Sequence, residues 1–174
     1  MRYSLYSCLM ALGLAVLPAS ATTTTAVARR LAGDISSDAA RTAETAFRLG
    51  FVQRGISPET QAMRLDNIRQ RVNAMGKDLA ELKALNPSND RAISRALHQA
   101  EPLLRSIAAG TTSAIEFYNH DRNWLWTPAF TGTVASIEDR AAELHQLLGD
   151  ARELSVLRSR ETALSRDIDL QSPR

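Results

Sequence analysis

Two pairs of side chains in this 174-residue chain have the spacing of a chelate on one helix face: His98 with Glu101, and Glu116 with His120. Carboxylate-rich metal bundles use such pairs, but pointing into the core. At about 100° per residue, His98, Glu116 and His120 fall on the side of their helix away from its apolar seam. Glu101 and His145 lie nearer the boundary. The arrangement therefore predicts solvated side chains, no metal and no cofactor. Nucleophilic chemistry has no better footing. The sequence has no Gly-x-Ser-x-Gly elbow, no Gly-rich phosphate loop and no Cys-x-x-Cys-His for covalent haem, and Cys8 is its only thiol. No catalytic residue is assigned, and enzymatic activity is not expected.

One stretch is chemically unusual. Five of the seven aromatic residues beyond position 21 fall between Phe117 and Phe130, in the run Phe117-Tyr118-Asn119-His120-Asp121-Arg122-Asn123-Trp124-Leu125-Trp126 and the residues just after it. One reading is an aromatic plug that closes the end of a helical core, its Trp N–H groups reaching backbone carbonyls. The other is a small ligand or partner patch formed by Tyr118, Asn119, His120, Arg122, Asn123, Trp124 and Trp126, with polar groups converging on an aromatic floor. Phe47 and Phe51 are expected at the same pole.

The elements that position this stretch are helices. Ser57-Pro58, Asn86-Pro87 and Thr127-Pro128 each place an N-capping side chain before a proline, which marks three helix starts. Between the marks, apolar residues recur at alternating steps of three and four. They run Leu65, Ile68, Val72, Met75, Leu79, Leu82, then Ile93, Leu97, Ala100, Leu104, Ile107, Thr111, Ala114, Tyr118. After Pro128 they run Phe130, Val134, Ile137, Ala141, Leu144, Leu148. A spacing that averages 3.5 is the seam of a left-handed helical bundle or coiled coil, and no segment has the alternation of a strand.

An earlier helix is expected from about Ser36, with Ala39, Ala40, Ala43, Phe47 and Phe51 as its face and Gly55 as its end, although Val27, Leu31 and Ile35 would also extend it backwards. Pro102 should kink the third helix. Gly149 either caps the fourth helix or is passed through, and Leu154, Leu157, Leu164 and Ile168 continue a weaker, charged pattern beyond it. The expected fold is all-α: an antiparallel up-down-up-down four-helix bundle over 36–149, with a charged helical extension and tail over 150–174 and a flexible N-terminal segment over 22–35.

Residues 1–21 have the form of a cleaved signal peptide: Arg2, an apolar run from Leu9 to Leu17, and Ala19-Ser20-Ala21 before a polar run of threonines. The chain is therefore expected to be exported to the periplasm or beyond. Cleavage would remove Cys8 and leave no transmembrane anchor. About 153 residues would remain, enough for one core. With Arg2 gone, 21 basic residues become one fewer against 19 acidic ones. Charges of both signs are interspersed, so nucleic acid is not an expected partner.

Over a short stretch, Thr112-Ser113-Ala114-Ile115-Glu116 resembles the all-helical exported chorismate mutases. Ser113 stands where that pattern has a glutamate, and the family's Arg/Lys cluster has no counterpart here, so the resemblance implies no activity. The sequence leads to an exported structural or protein-interaction bundle whose partner is a protein, with a small-ligand bundle as the alternative. It does not fix the oligomeric state.

Overall fold

The computed structural model describes residues 19–51, 57–85, 90–120 and 127–171. They form α1 (Ala19–Gly50), α2 (Pro58–Ala84), α3 (Arg91–His120) and α4 (Pro128–Gln171), with no strand among the described residues. Neighbours pack antiparallel around a ring in which α1 touches α2 and α4, and α3 touches α2 and α4. The fold is thus the expected all-α, four-helix bundle.

Local chemistry sets two of the starts as the sequence implies. Ser57 lies in extended backbone and its hydroxyl accepts from the Thr60 N–H at 3.2 Å, with Pro58 in the first turn. Thr127 accepts from the Phe130 N–H at 3.3 Å. The third start differs. Asn86-Pro87 lies outside the described residues, and α3 is capped instead by Asp90, whose Oδ1 accepts from the Ala92 and Ile93 N–H groups at 3.2 and 3.3 Å. Pro102, expected to kink α3, is exposed inside an uninterrupted helical span. Its missing donor falls on the solvent side of the rod, where a carbonyl left without that bond can be hydrated.

The core is one continuous seam on each helix. Every apolar residue named for α2 and α4 is buried, from Leu65 to Leu82 and from Phe130 to Leu148. In α1 the expected face is corrected. The buried positions are Ala28, Leu31, Ala32, Ile35, Ser36, Ala39, Thr42, Ala46 and Leu49, while Phe47 and Phe51 are 54% and 62% exposed. Residues 22–35, expected to be flexible, are helical, because Ala28, Leu31, Ala32 and Ile35 cover the flank of α4. Two hydrogen-bonded clasps fix this α1–α4 contact. Ser36 Oγ donates to the His145 carbonyl at 3.0 Å, and His145 Nδ1 lies 3.0 Å from the Ser36 carbonyl. Farther along, Arg29 Nε donates to Ser155 Oγ at 2.5 Å.

Helix α4 passes through Gly149 without a break and is 44 residues long, against 27 for α2. At 1.5 Å per residue the rods are roughly 66 and 40 Å long, so α4 projects past its neighbours.

Glycines test how closely the rods approach. A Cβ on Gly110 of α3 would lie 2.9 Å from Ile137 Cγ1 of α4, whereas one on Gly76 of α2 would meet nothing within 4 Å. Gly76→Ala should therefore raise stability by about 0.5–1 kcal/mol through helix propensity. At Gly110 the same change should lose that gain to overpacking. Urea denaturation of the two variants measures the contrast.

Candidate functional site

The C-terminal turn of α3 and the first turns of α4 frame a cleft of about 690 Å³, lined by Ser113, Glu116, Phe117, Asn119, His120 and Thr133. This is where the aromatic–polar stretch begins. Phe117, one of its lining residues, meets the buried Phe130 edge-on, with ring centres 6.4 Å apart. Tyr118 is half-buried, and its hydroxyl donates to the Pro58 carbonyl at 2.9 Å, tying α3 to the start of α2. Asn119 and His120 are exposed on the rim. Arg122, Asn123, Trp124 and Trp126 lie outside the described residues.

The described aromatics share a pole but do not form one cluster. Phe47 and Phe51 stack on each other with centres 5.9 Å apart, outside the core. The reason is the register of α1: its seam follows Ala46 and Leu49, which turns Phe47 and Phe51 to solvent.

His98, Glu116 and His120 lie off the buried seam and all three are exposed, in keeping with their angular positions. No group of three metal-binding side chains occurs among the described residues. Glu101 instead joins α2 to α3: Lys83 Nζ lies 2.8 Å from one carboxylate oxygen and Arg105 Nη2 lies 2.5 Å from the other. Those two hydrogen bonds, reinforced by both positive charges, hold its carboxyl down at about 2, from an ordinary 4.5. Asp78 on α2 is shifted the other way, first by burial and then by the charges of Asp34, Glu81 and Asp38.

The signs give opposite pH signatures. The lowered pKa of Glu101 contributes stability that is present above 4.5 and lost as pH falls toward about 2. The raised pKa of Asp78 means that its ionised form costs stability at neutral pH, a cost relieved on protonation in acid. Glu101→Gln should thus destabilise at pH 7, and Asp78→Asn should stabilise. Both differences should shrink when the urea curves are repeated near pH 3.

Ser36 and His145 form a hydroxyl–imidazole pair that is not legible in the sequence, with Oγ 2.9 Å from Nδ1. The distance resembles that of a nucleophile and its base. The setting does not: Ser36 is 6% exposed inside the α1–α4 interface, and its hydroxyl is already engaged by the His145 carbonyl. The pair is a reciprocal helix clasp. Its residues stand 109 positions apart, so no local pattern announces it.

A second groove, of about 350 Å³, runs between the start of α3 and the middle of α4. It is edged by Arg91, Arg95 and Arg158 and floored in part by Leu147 and Leu154. From the sequence, Leu154 reads only as a weak continuation of the core seam. The groove opens onto the projecting part of α4, where Leu154, Leu157, Leu164 and Ile168 are 48–65% exposed.

These features define an antiparallel four-helix bundle with one over-long helix. No family model, curated protein or solved structure matches the chain. No described helix is long and apolar enough to cross a membrane.

Proposed function

We propose that this chain is an exported, non-enzymatic interaction protein in which the bundle is a scaffold and the projecting part of α4 docks a protein partner. The carrying observation is where the apolar residues of that segment stand. The core seam of α4 runs Leu144, Leu148, Ala151, Ser155, and its continuation at the same steps is Arg158, Thr162, Ser165. The seam turns polar as the rod leaves the bundle. A second stripe, Leu154, Leu157, Leu164 and Ile168, takes over on an adjacent face and is exposed. Exposed apolar side chains in a contiguous stripe are the signature of an interaction surface. The cleft near Phe117 is the weaker candidate, because Asn119 and His120 on its rim are exposed and offer a ligand little desolvated contact.

Export is supported by residues 1–21, whose charge, apolar length and small-residue site fit a cleaved signal. N-terminal sequencing of the protein recovered from outside the cytoplasm should begin near Thr22, and an intact Met1 would refute export. For docking, a photo-crosslinking side chain placed at Leu157 or Leu164 of the full chain in cells should give protein adducts. The same group at Lys77 on α2 should not. Failure to form adducts at both α4 positions would overturn the reading.

A further inference from the structure

From the α4 stripe we infer that the partner is a second copy of this chain, bound through an antiparallel pairing of the two projecting helices; this rests on the docking role proposed for α4. Leu154, Leu157, Glu161, Leu164 and Ile168 follow steps of three, four, three and four. That is the pattern of a two-helix seam with Glu161 at one position of its apolar line. From Leu157 to Ile168 every residue is exposed, so the whole stripe is free to meet another helix.

Charge chooses the orientation. In a parallel pair Glu161 would face Glu161 of the other copy across the seam, two like charges in a desolvated position. In an antiparallel pair the layers become Leu157 against Ile168 and Glu161 against Leu164, repeated by the two-fold axis. The flanking positions are then Arg160 against Asp167, also repeated by symmetry, and Arg158 against Ser165. Opposite charges meet and no like charges are apposed, which is the flank chemistry that sets partner and orientation in helix pairs. The isologous arrangement also closes on itself and leaves no free seam. It places the two bundles at opposite ends of the paired segment. With only four large apolar residues per copy, the contact lies at the small end of specific interfaces and should be reversible with concentration.

The test is sedimentation equilibrium of the purified mature protein over a range of concentrations. The parent chain should pass reversibly from monomer to dimer. Leu157→Arg with Leu164→Arg should remain monomeric with an unchanged helical signal, because both side chains are exposed in the single copy. Arg160→Asp and Asp167→Arg, each alone, should weaken the dimer by about tenfold, a change of about 1.4 kcal/mol. Mixed together, the two variants should recover it, since every charge at these flanking positions then faces its opposite on the other copy. A parent chain that stays monomeric, or a dimer indifferent to both charge changes, would overturn the inference. If adducts at Leu157 and Leu164 in cells join a different protein while the purified chain is monomeric, the second copy is refuted and the docking role stands. Absence of any adduct would remove the docking role itself.

Discussion

Ile137→Ala should cost about 3–4 kcal/mol, in the range for removing a fully buried branched side chain. Ile137 is 1% exposed and sits on the seam of α4 where it crosses α3. The change would open a void at a close approach of the two rods, because Ile137 Cγ1 is the atom that blocks a Cβ at Gly110. The same geometry predicts non-additivity. In the Ile137→Ala background that obstacle is gone, so Gly110→Ala should become favourable and recover part of the loss. A double-mutant cycle by urea denaturation would show an interaction energy of about 0.5–3 kcal/mol between these sites. Leu104→Ala should behave like Ile137→Ala. Leu164→Ala, with its side chain 63% exposed, should stay within about 0.5 kcal/mol when measured on the dilute monomer. Equal losses at Ile137 and Leu164 would mean that the projecting part of α4 is packed as tightly as the bundle.

Asp90→Ala should be the most damaging polar substitution, at about 2–3 kcal/mol, combining a lost helix cap with a broken buried network. Asp90 is 7% exposed. One carboxylate oxygen caps α3, and the other accepts a hydrogen bond from Ser155 Oγ. Ser155 in turn accepts from Arg29 Nε, and the Arg29 guanidinium also reaches the Ser155 carbonyl at 3.1 Å. One carboxylate thus holds α3, α4 and α1 together. Asp90→Asn should retain the cap but donate poorly matched N–H groups toward Ser155, and so fall between parent and Ala. Thermal melting of the three proteins orders them. A melting temperature unchanged in Asp90→Ala would refute the network.

Much of this architecture is legible from residues alone, for an identifiable reason. In α2 and α4 the seam positions carry Leu, Ile, Val, Met and Phe, so periodicity and burial coincide. In α1 the seam from Ser36 to Ala46 is written in small side chains, Ser36, Ala39, Thr42 and Ala46, and the large residues Phe47 and Phe51 stand off it. Hydrophobicity weighted by size therefore selects the wrong face, and the helix looks as if it begins at Ser36 when its packing begins near Ala28. The same small side chains let α1 lie close to α4, a tertiary fact with no local trace. The Asp90 cap is masked in the sequence by the stronger Asn86-Pro87 signal a few residues earlier. Gly149, open to two readings, is carried inside the helix because the seam on either side of it, Leu148 and Ala151, is buried against the bundle. At the aromatic pole the sequence points to Tyr118, Asn119 and His120; the fold brings Asn119 and His120 to one cleft edge with Glu116 and Ser113, while Tyr118 ties α3 to α2. The exposed stripe on α4 is legible as a run of apolar residues. Its separation from the core becomes visible only once the seam is seen to pass through Ser155.

That passage divides one helix into two regimes of protection. Up to Ser155 an amide of α4 can open only if the bundle opens with it, so its hydrogen exchange should approach the global unfolding limit. Beyond Ser159, whose hydroxyl accepts from Arg29, each turn is held by little more than its own backbone bonds, and a short unsupported helix in water is marginal. Amides there should exchange orders of magnitude faster in the isolated monomer. Trypsin should find Arg158, Arg160 and Arg166 while sparing Arg140 in the bundled part of the same rod. The last helix is therefore continuous in geometry and discontinuous in free energy, with the boundary at the hydroxyl of a single serine.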